Sequence, residues 1–368
     1  MHDFTSSLLE LIIGIAFLFW GGELFVQGSI ILAGILGIPQ LVIGLTVVSL
    51  GTSAPELFVS LNSFYQGSDA LAASNVVGSN IFNILVVLGS SAIILPLKVE
   101  SRLIRRDVPL LIAVSSAVWG MTSNGRLTWQ AGIALLIALL INTAWEIRTV
   151  REESKEKDCN AGVIPQPISN NWINSLTKLF IGIVLLSFGS KLLVNGASSI
   201  ALLLGVSEAV IGLTIVAAGT SMPELITSLI ATFKGRTDLA IGNVVGSSIL
   251  NLLLVLSLCA ISSGTTGLEI DEVLINKDMP IMLLSTLACM PIFWTKGKIS
   301  RLEGIGLLSL YILYLIDQII PYSFPILHEE FRIILVSIIL PTGLILVAIK
   351  SIKYFYIINQ EKYTSKLN

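Results

Sequence analysis

Long apolar runs separated by short polar stretches follow one another along almost the whole chain. Runs of this length and continuity predict membrane-spanning helices, which need about 20 mostly apolar residues, whereas barrel strands alternate. The pattern places spans at Leu8–Leu32, Leu41–Tyr65, Ala70–Leu95, Leu103–Trp119 and Leu127–Ile147. A polar connection from Arg148 to Asn174 follows, with a charged run to Asp158 that reads as a solvated linker. A second set runs Leu176–Leu204, Ala209–Phe233, Leu239–Ile261, Met279–Trp294 and Leu302–Ile320. One further run, Phe331–Ile349, has no counterpart in the first set. The first run is too long for a signal-peptide core and lacks a basic segment before it, so it reads as a retained helix.

Composition agrees with that pattern. The 368 residues are 54% hydrophobic and 12% charged, where soluble domains carry about 25% charged residues. The expectation is an all-α polytopic membrane protein. Three cysteines, Cys159, Cys259 and Cys289, make no metal spacing and no disulfide framework.

The chain repeats itself at an offset of 168 residues. From Val42 to Ser60, 13 of 19 positions are identical to their partners in Val210 to Ser228. The register continues through Asn75-Val-Val-Gly-Ser79 and Asn243-Val-Val-Gly-Ser247, and reaches back to Gly14, Gly21 and Gly28 against Gly182, Gly189 and Gly196. Later spans match more loosely, as in Arg106-Asp-Val-Pro109 against Lys277-Asp-Met-Pro280. Five spans per half is an odd number, so the second half enters the membrane from the opposite side, a construction common in secondary transporters. The expected architecture is two inverted five-helix repeats, ten transmembrane helices, with an eleventh C-terminal helix. Residues 1–147 form the first repeat (core 42–91), 148–174 the cytoplasmic linker, 175–320 the second repeat (core 210–259), and 321–368 the extra helix and basic tail. With the N-terminus outside, eighteen Lys and Arg face the cytoplasm and three, Arg126, Lys277 and Arg332, face out. That bias fits the positive-inside rule and puts the C-terminus inside.

Chemistry gathers in the repeated segment. Ser49, Thr52, Ser53, Glu56 and Ser60 share one helix face, as do Thr220, Ser221, Glu224 and Ser228, with Ala217 in place of Ser49. Asn75, Ser79 and Asn83, and again Asn243, Ser247 and Asn251, line a face of the following span. A charge at the bilayer centre costs on the order of 2.5–3.5 kcal/mol even on the mild insertion scale. Two at equivalent positions mark a functional site. Pro55 and Pro223 cannot donate to the carbonyls of Gly51 and Gly219, so both helices break there and free carbonyl oxygens at mid-membrane depth. The ligands are all oxygens, which suits hard cations such as Ca²⁺, whereas the only histidines, His2 and His328, lie outside the spans.

These paired Gly-Thr-Ser-x-Pro-Glu and Asn-Val-Val-Gly-Ser blocks resemble the two α-repeats of the calcium/cation antiporter superfamily, in particular its prokaryotic sodium/calcium exchanger branch. The resemblance implies exchange of Na⁺ for Ca²⁺, three to one in the typical member, with no cofactor. It implies that Glu56 and Glu224 are shared Ca²⁺ and Na⁺ ligands. Thr52 and Thr220 would serve at the calcium position, and Ser53, Ser221, Ser79, Ser247, Asn83 and Asn251 at flanking sodium positions. Ser49 and Ala217 would offer backbone carbonyls. Asn251 stands where some prokaryotic and the potassium-dependent members carry an aspartate, which argues against K⁺ dependence. The short central loop leaves no room for the large calcium-sensing domains of animal exchangers. H⁺/Ca²⁺ exchange is the alternative reading, and a passive cation channel fits less well, because the chain builds its site from its own two halves. No hydrolytic or redox motif is present. The partners expected are Ca²⁺, Na⁺ and the lipid bilayer, here the bacterial plasma (inner) membrane, with no nucleic acid and no protein partner indicated. Asn75 and Asn243 read as interhelical hydrogen-bonding groups. Glu23 and Lys191, at equivalent positions, read either as a coupling pair or as locally paired and snorkelling side chains.

Overall fold

The computed structural model describes residues 4–160, 172–204, 217–294 and 297–323. The expected helix Phe331–Ile349, the basic tail, and the start of the span from Ala209 lie outside them. Helix α1 is Phe4–Leu36, and α2 (Gln40–Thr52) and α3 (Ala54–Tyr65) are the halves of one span bent by 41°. Helix α4 is Asp69–Ile94, α5 is Val108–Thr122 and α6 is Trp129–Asn160. The second half brings α7 (Trp172–Leu203), α8 (Ala217–Thr220), α9 (Met222–Phe233) and α10 (Thr237–Ser262). Helices α11 (Met279–Trp294) and α12 (Arg301–Ser323) complete it. Among the described residues, six helices are long and apolar enough to cross a membrane, or seven with the bent pair counted as one span. The chain is an integral membrane protein. Helix α6 runs on from Arg148 to Asn160, so the expected polar connection begins as a continuation of the helix.

Two paired ribbons tie the halves together: β1 (Leu97–Lys98) with β4 (Lys298–Ile299), and β2 (Arg126–Leu127) with β3 (Leu268–Glu269). The loosely matched Arg106 and Lys277 segments occupy equivalent roles. Arg106 pairs with Glu146 at 2.5 Å, and Lys277 pairs with Asp317 at 2.8 Å, each anchoring the start of one helix on a later one.

Helices α1 and α7 run antiparallel with their backbones in contact, because the repeated glycines face one another. A Cβ on Gly14 would lie 2.9 Å from the Gly189 carbonyl oxygen, and one on Gly21 would lie 3.0 Å from that of Gly182. Ser7 sits opposite Gly196, and the Ser175 hydroxyl donates to the Gly28 carbonyl at 2.7 Å. Helices in lipid gain little from apolar burial against one another, so such small-residue contacts carry much of their association. A second close crossing presses α2 on α10, where a Cβ on Gly242 would sit 2.6 Å from the Leu41 carbonyl. That crossing brings the polar face of α2 onto the polar face of α10.

Cys259 and Cys289 are buried free thiols. Glu23 does not meet Lys191, which is exposed. Its carboxylate instead accepts from Lys234 and, at 2.7 Å, from the Gln27 amide, whose oxygen accepts from Lys178 at 2.9 Å. The coupling-pair reading of Glu23 and Lys191 is thereby corrected, and Glu23 joins α1 to the C-terminal end of α9.

Candidate cation site between the two halves

Both expected helix breaks are present, at Ser53 and Ser221. Their backbones sit at φ −83°, ψ 4° and φ −90°, ψ 10°, in the sparsely allowed bridge region. Pro55 and Pro223 then stand in the first turns of α3 and α9, where a missing N–H costs nothing. Glu56 and Glu224 follow immediately, in the first turns of their helices, where the positive dipole end favours a carboxylate.

The two carboxyl groups have no solvent exposure. Each is gripped by the other half: Ser53 Oγ donates to Glu224 Oε1 at 2.9 Å, and Ser221 Oγ donates to Glu56 Oε1 at 3.0 Å. The second oxygen of each, Oε2, has no hydrogen-bond partner. Both amide atoms of Asn83 and of Asn251, and the Ser79 hydroxyl, are likewise buried and unpartnered. Leaving a buried polar group unsatisfied costs about 1–3 kcal/mol, more when it is charged. Seven such atoms lie on Glu56, Glu224, Ser79, Asn83 and Asn251, all of them residues expected from the sequence to face a cation. Among the described residues no group of three or more His, Cys, Asp or Glu could hold a metal.

Threonines cross the same boundary. Thr52 Oγ1 donates to Asn243 Oδ1 at 3.0 Å and lies 3.3 Å from Ser247 Oγ, while Thr220 Oγ1 donates to Asn75 Oδ1 at 3.1 Å. The two asparagines also hold Ser60 and Ser228, each through a 2.9 Å bond from Nδ2. Asn83 and Asn251 each open a π-helical turn, Asn83–Val87 and Asn251–Val255. Such turns change the direction in which following side chains point and occur often at functional sites.

The freed carbonyls differ between the halves. The Gly219 carbonyl accepts a hydrogen bond from the Ser190 hydroxyl of α7, so one oxygen expected to be open is engaged. The residue equivalent to Ser190 in the first half is Gly22, which has no side chain to donate. Gly51 packs instead beneath the ring of Phe25. The Ser49 carbonyl accepts from the Ser53 N–H at 2.9 Å, and its hydroxyl donates to the Leu45 carbonyl at 2.8 Å. Ala217 begins α8, directly before the second break. Ser190 had no signal in the sequence to set it apart from Ser187, Ser198 and Ser199 on the same helix. Ser60 and Ser228 were visible on the polar face, but their bonds to the asparagines were not.

The profile of the sodium/calcium exchanger protein family matches residues 6–148 and 175–320. The inner membrane protein YrbG of Escherichia coli is 32% identical over 307 residues, covering 81% of this chain and 91% of that one. The sodium/calcium exchanger MaX1 of Methanosarcina acetivorans is 29% identical over 346 residues, covering 85% and 98%. A solved structure of the sodium-calcium exchanger NCX_Mj, soaked with Na⁺ and Sr²⁺, superposes with a TM-score of 0.72 at 31% identity, covering 85% of this chain and 98% of that one. A match across both halves, with the breaks and carboxylates repeated in each, places the protein: it belongs to the sodium/calcium exchanger family.

Proposed function

We propose that the protein is a secondary antiporter that exchanges Na⁺ for Ca²⁺ by alternating access around one central site. The observation that carries this reading is the pair of buried carboxylates, Glu56 and Glu224, each tied through one oxygen to the opposite half and unpartnered at the other. Hard cations such as Ca²⁺ take about 6–8 oxygen ligands at roughly 2.3–2.6 Å. Two carboxylates with Thr52, Thr220 and the carbonyls of Ser49 and Ala217 supply such a set. Ser53, Ser221, Ser79, Ser247, Asn83 and Asn251 flank it as sodium ligands.

Exchange follows from sharing. Two carboxylates neutralise one Ca²⁺ or two Na⁺, and both ions need the same glutamates, so each enters only as the other leaves. A third Na⁺ makes the loaded site net positive and the cycle electrogenic. The reciprocal bonds across the halves, Ser53 to Glu224 and Ser221 to Glu56, support a reading in which ten spans form two inverted five-helix repeats. Lys and Arg bias supports an N-terminus outside and a C-terminus inside. The names of MaX1 and NCX_Mj support Na⁺ as the counter-ion.

Na⁺-gradient-driven ⁴⁵Ca²⁺ uptake into vesicles carrying the full chain tests the reading. Glu56→Gln and Glu224→Gln are each expected to abolish uptake, and undiminished transport in either variant overturns it.

A further inference from the structure

Resting on that reading, we propose that Asn75 and Asn243 are positioning residues that turn the Thr220 and Thr52 hydroxyls so that their oxygens face the transported cation. A threonine hydroxyl has one hydrogen and two lone pairs. To ligate a cation through a lone pair it must direct the hydrogen elsewhere. The hydroxyl of Ser53, the residue after Thr52, already donates to the Glu224 carboxylate, a stronger acceptor than a neutral amide. A second hydrogen directed at its unpartnered Oε2 would stand in the path of a cation bound at that oxygen. Asn243 Oδ1, 3.0 Å from Thr52 Oγ1, offers the hydrogen another acceptor.

The far end of the amide fixes which of its atoms faces the threonine. Asn243 Nδ2 lies 3.3 Å from the backbone carbonyl of Glu224, which can only accept, and 2.9 Å from Ser228 Oγ. The nitrogen is therefore on that side and the oxygen on the threonine side. The arrangement recurs in the other half. Asn75 Nδ2 lies 3.4 Å from the Glu56 carbonyl and 2.9 Å from Ser60 Oγ, and Oδ1 accepts from Thr220 at 3.1 Å. Each asparagine thus brackets the glutamate helix of one half and the threonine of the other. Packing alone would not require an acceptor to be aimed at the equivalent threonine in each half.

A double-mutant cycle on the full-length protein in vesicles tests this, read as the Ca²⁺ concentration for half-maximal Na⁺-driven uptake. Asn243→Leu and Thr52→Val are each expected to raise it about ten- to a hundredfold, the range seen when a partner that orients a metal ligand is removed. The double variant is expected to be no worse than the more severe single one, because both act through one hydroxyl. Fold-changes that multiply overturn the proposal, as does a loss confined to the maximal rate. Asn243→Ala carries the same cycle if the leucine variant does not reach the membrane, and Asn75 with Thr220 repeats it in the other half. A Glu224→Gln variant that still transports overturns the antiporter reading itself. Loss of transport in Glu224→Gln together with multiplying fold-changes overturns only the positioning role of the asparagines.

Discussion

The Ser53 hydroxyl donates to the Glu224 carboxylate at 2.9 Å, across the boundary between two repeats that lie 168 residues apart in sequence. Ser221 returns the same bond to Glu56 at 3.0 Å. Neither half can complete its carboxylate's surroundings alone, so damage to one serine is felt at the glutamate of the other half.

Ser53→Ala should therefore weaken sodium binding by leaving Glu224 Oε1 without its donor and removing one oxygen from a flanking position. A lost hydrogen bond to a charged group is worth about 1.5–3 kcal/mol, so the Na⁺ concentration for half-maximal exchange is expected to rise by roughly ten- to a hundredfold. Ser221→Ala is expected to act the same way through Glu56. Sodium titrations of Ca²⁺ efflux in vesicles check both, and an unchanged sodium dependence in either variant would remove that serine from the site.

The counter-ion is settled by replacement. With Na⁺ exchanged for an impermeant organic cation, Ca²⁺ uptake is expected to stop even under an imposed proton gradient. Uptake that persists there makes the protein a proton/calcium exchanger instead. Under a Na⁺ gradient, three-for-one exchange moves one net charge per cycle, so a transport current is expected, and two-for-one exchange would give none.

Ser190→Ala removes the hydroxyl that engages the Gly219 carbonyl. The cost expected is about 1–3 kcal/mol, that of an unsatisfied buried acceptor, seen as a lower unfolding temperature of the purified protein. No such loss is expected for Gly22→Ala on hydrogen-bonding grounds, since no bond exists there to lose. Its cost is steric, because a Cβ at Gly22 would lie 2.7 Å from the Ile230 side chain.

Gly21→Val and Gly182→Val push a branched side chain into opposing backbone at 3.0 Å or less. Each is expected to destabilise the protein by about 1–3 kcal/mol or more, again read from thermal unfolding. Gly120→Ala, with nothing within 4 Å of the added carbon, is expected to be neutral or to stabilise by up to about 1 kcal/mol.

Much of the site was legible because lipid makes polar residues conspicuous. Glu56, Glu224, Asn83 and Asn251 stand in runs where every polar group is expensive, and the repeat supplies each with a control in the other half. Pro55 and Pro223 marked the breaks by the same logic, since the loss of an N–H is a local event. The helical continuation of α6 to Asn160 was hidden because a charged run suits a solvated helix and a loop equally well. The pairing of Glu23 with Lys234 was hidden for another reason. Equivalence in the repeat suggested Lys191, but residues that are mates by symmetry need not touch. The π turns at Asn83 and Asn251 are backbone adjustments that no side-chain pattern announces.

The glycine ladder between α1 and α7 has the form of a contact between two copies of one protein. Gly14 meets Gly189 while Gly21 meets Gly182, and each pair is the other with the roles of the halves exchanged. That is an isologous interface, the kind found at the two-fold axis of a homodimer, enclosed within a single chain. A substitution in such an interface has one consequence in a true dimer and another in a fused pair. In a dimer every change appears twice, whereas fusion lets positions equivalent by the repeat, such as Gly22 and Ser190, diverge, so that a hydroxyl engages the Gly219 carbonyl in the second half with no counterpart at Gly22.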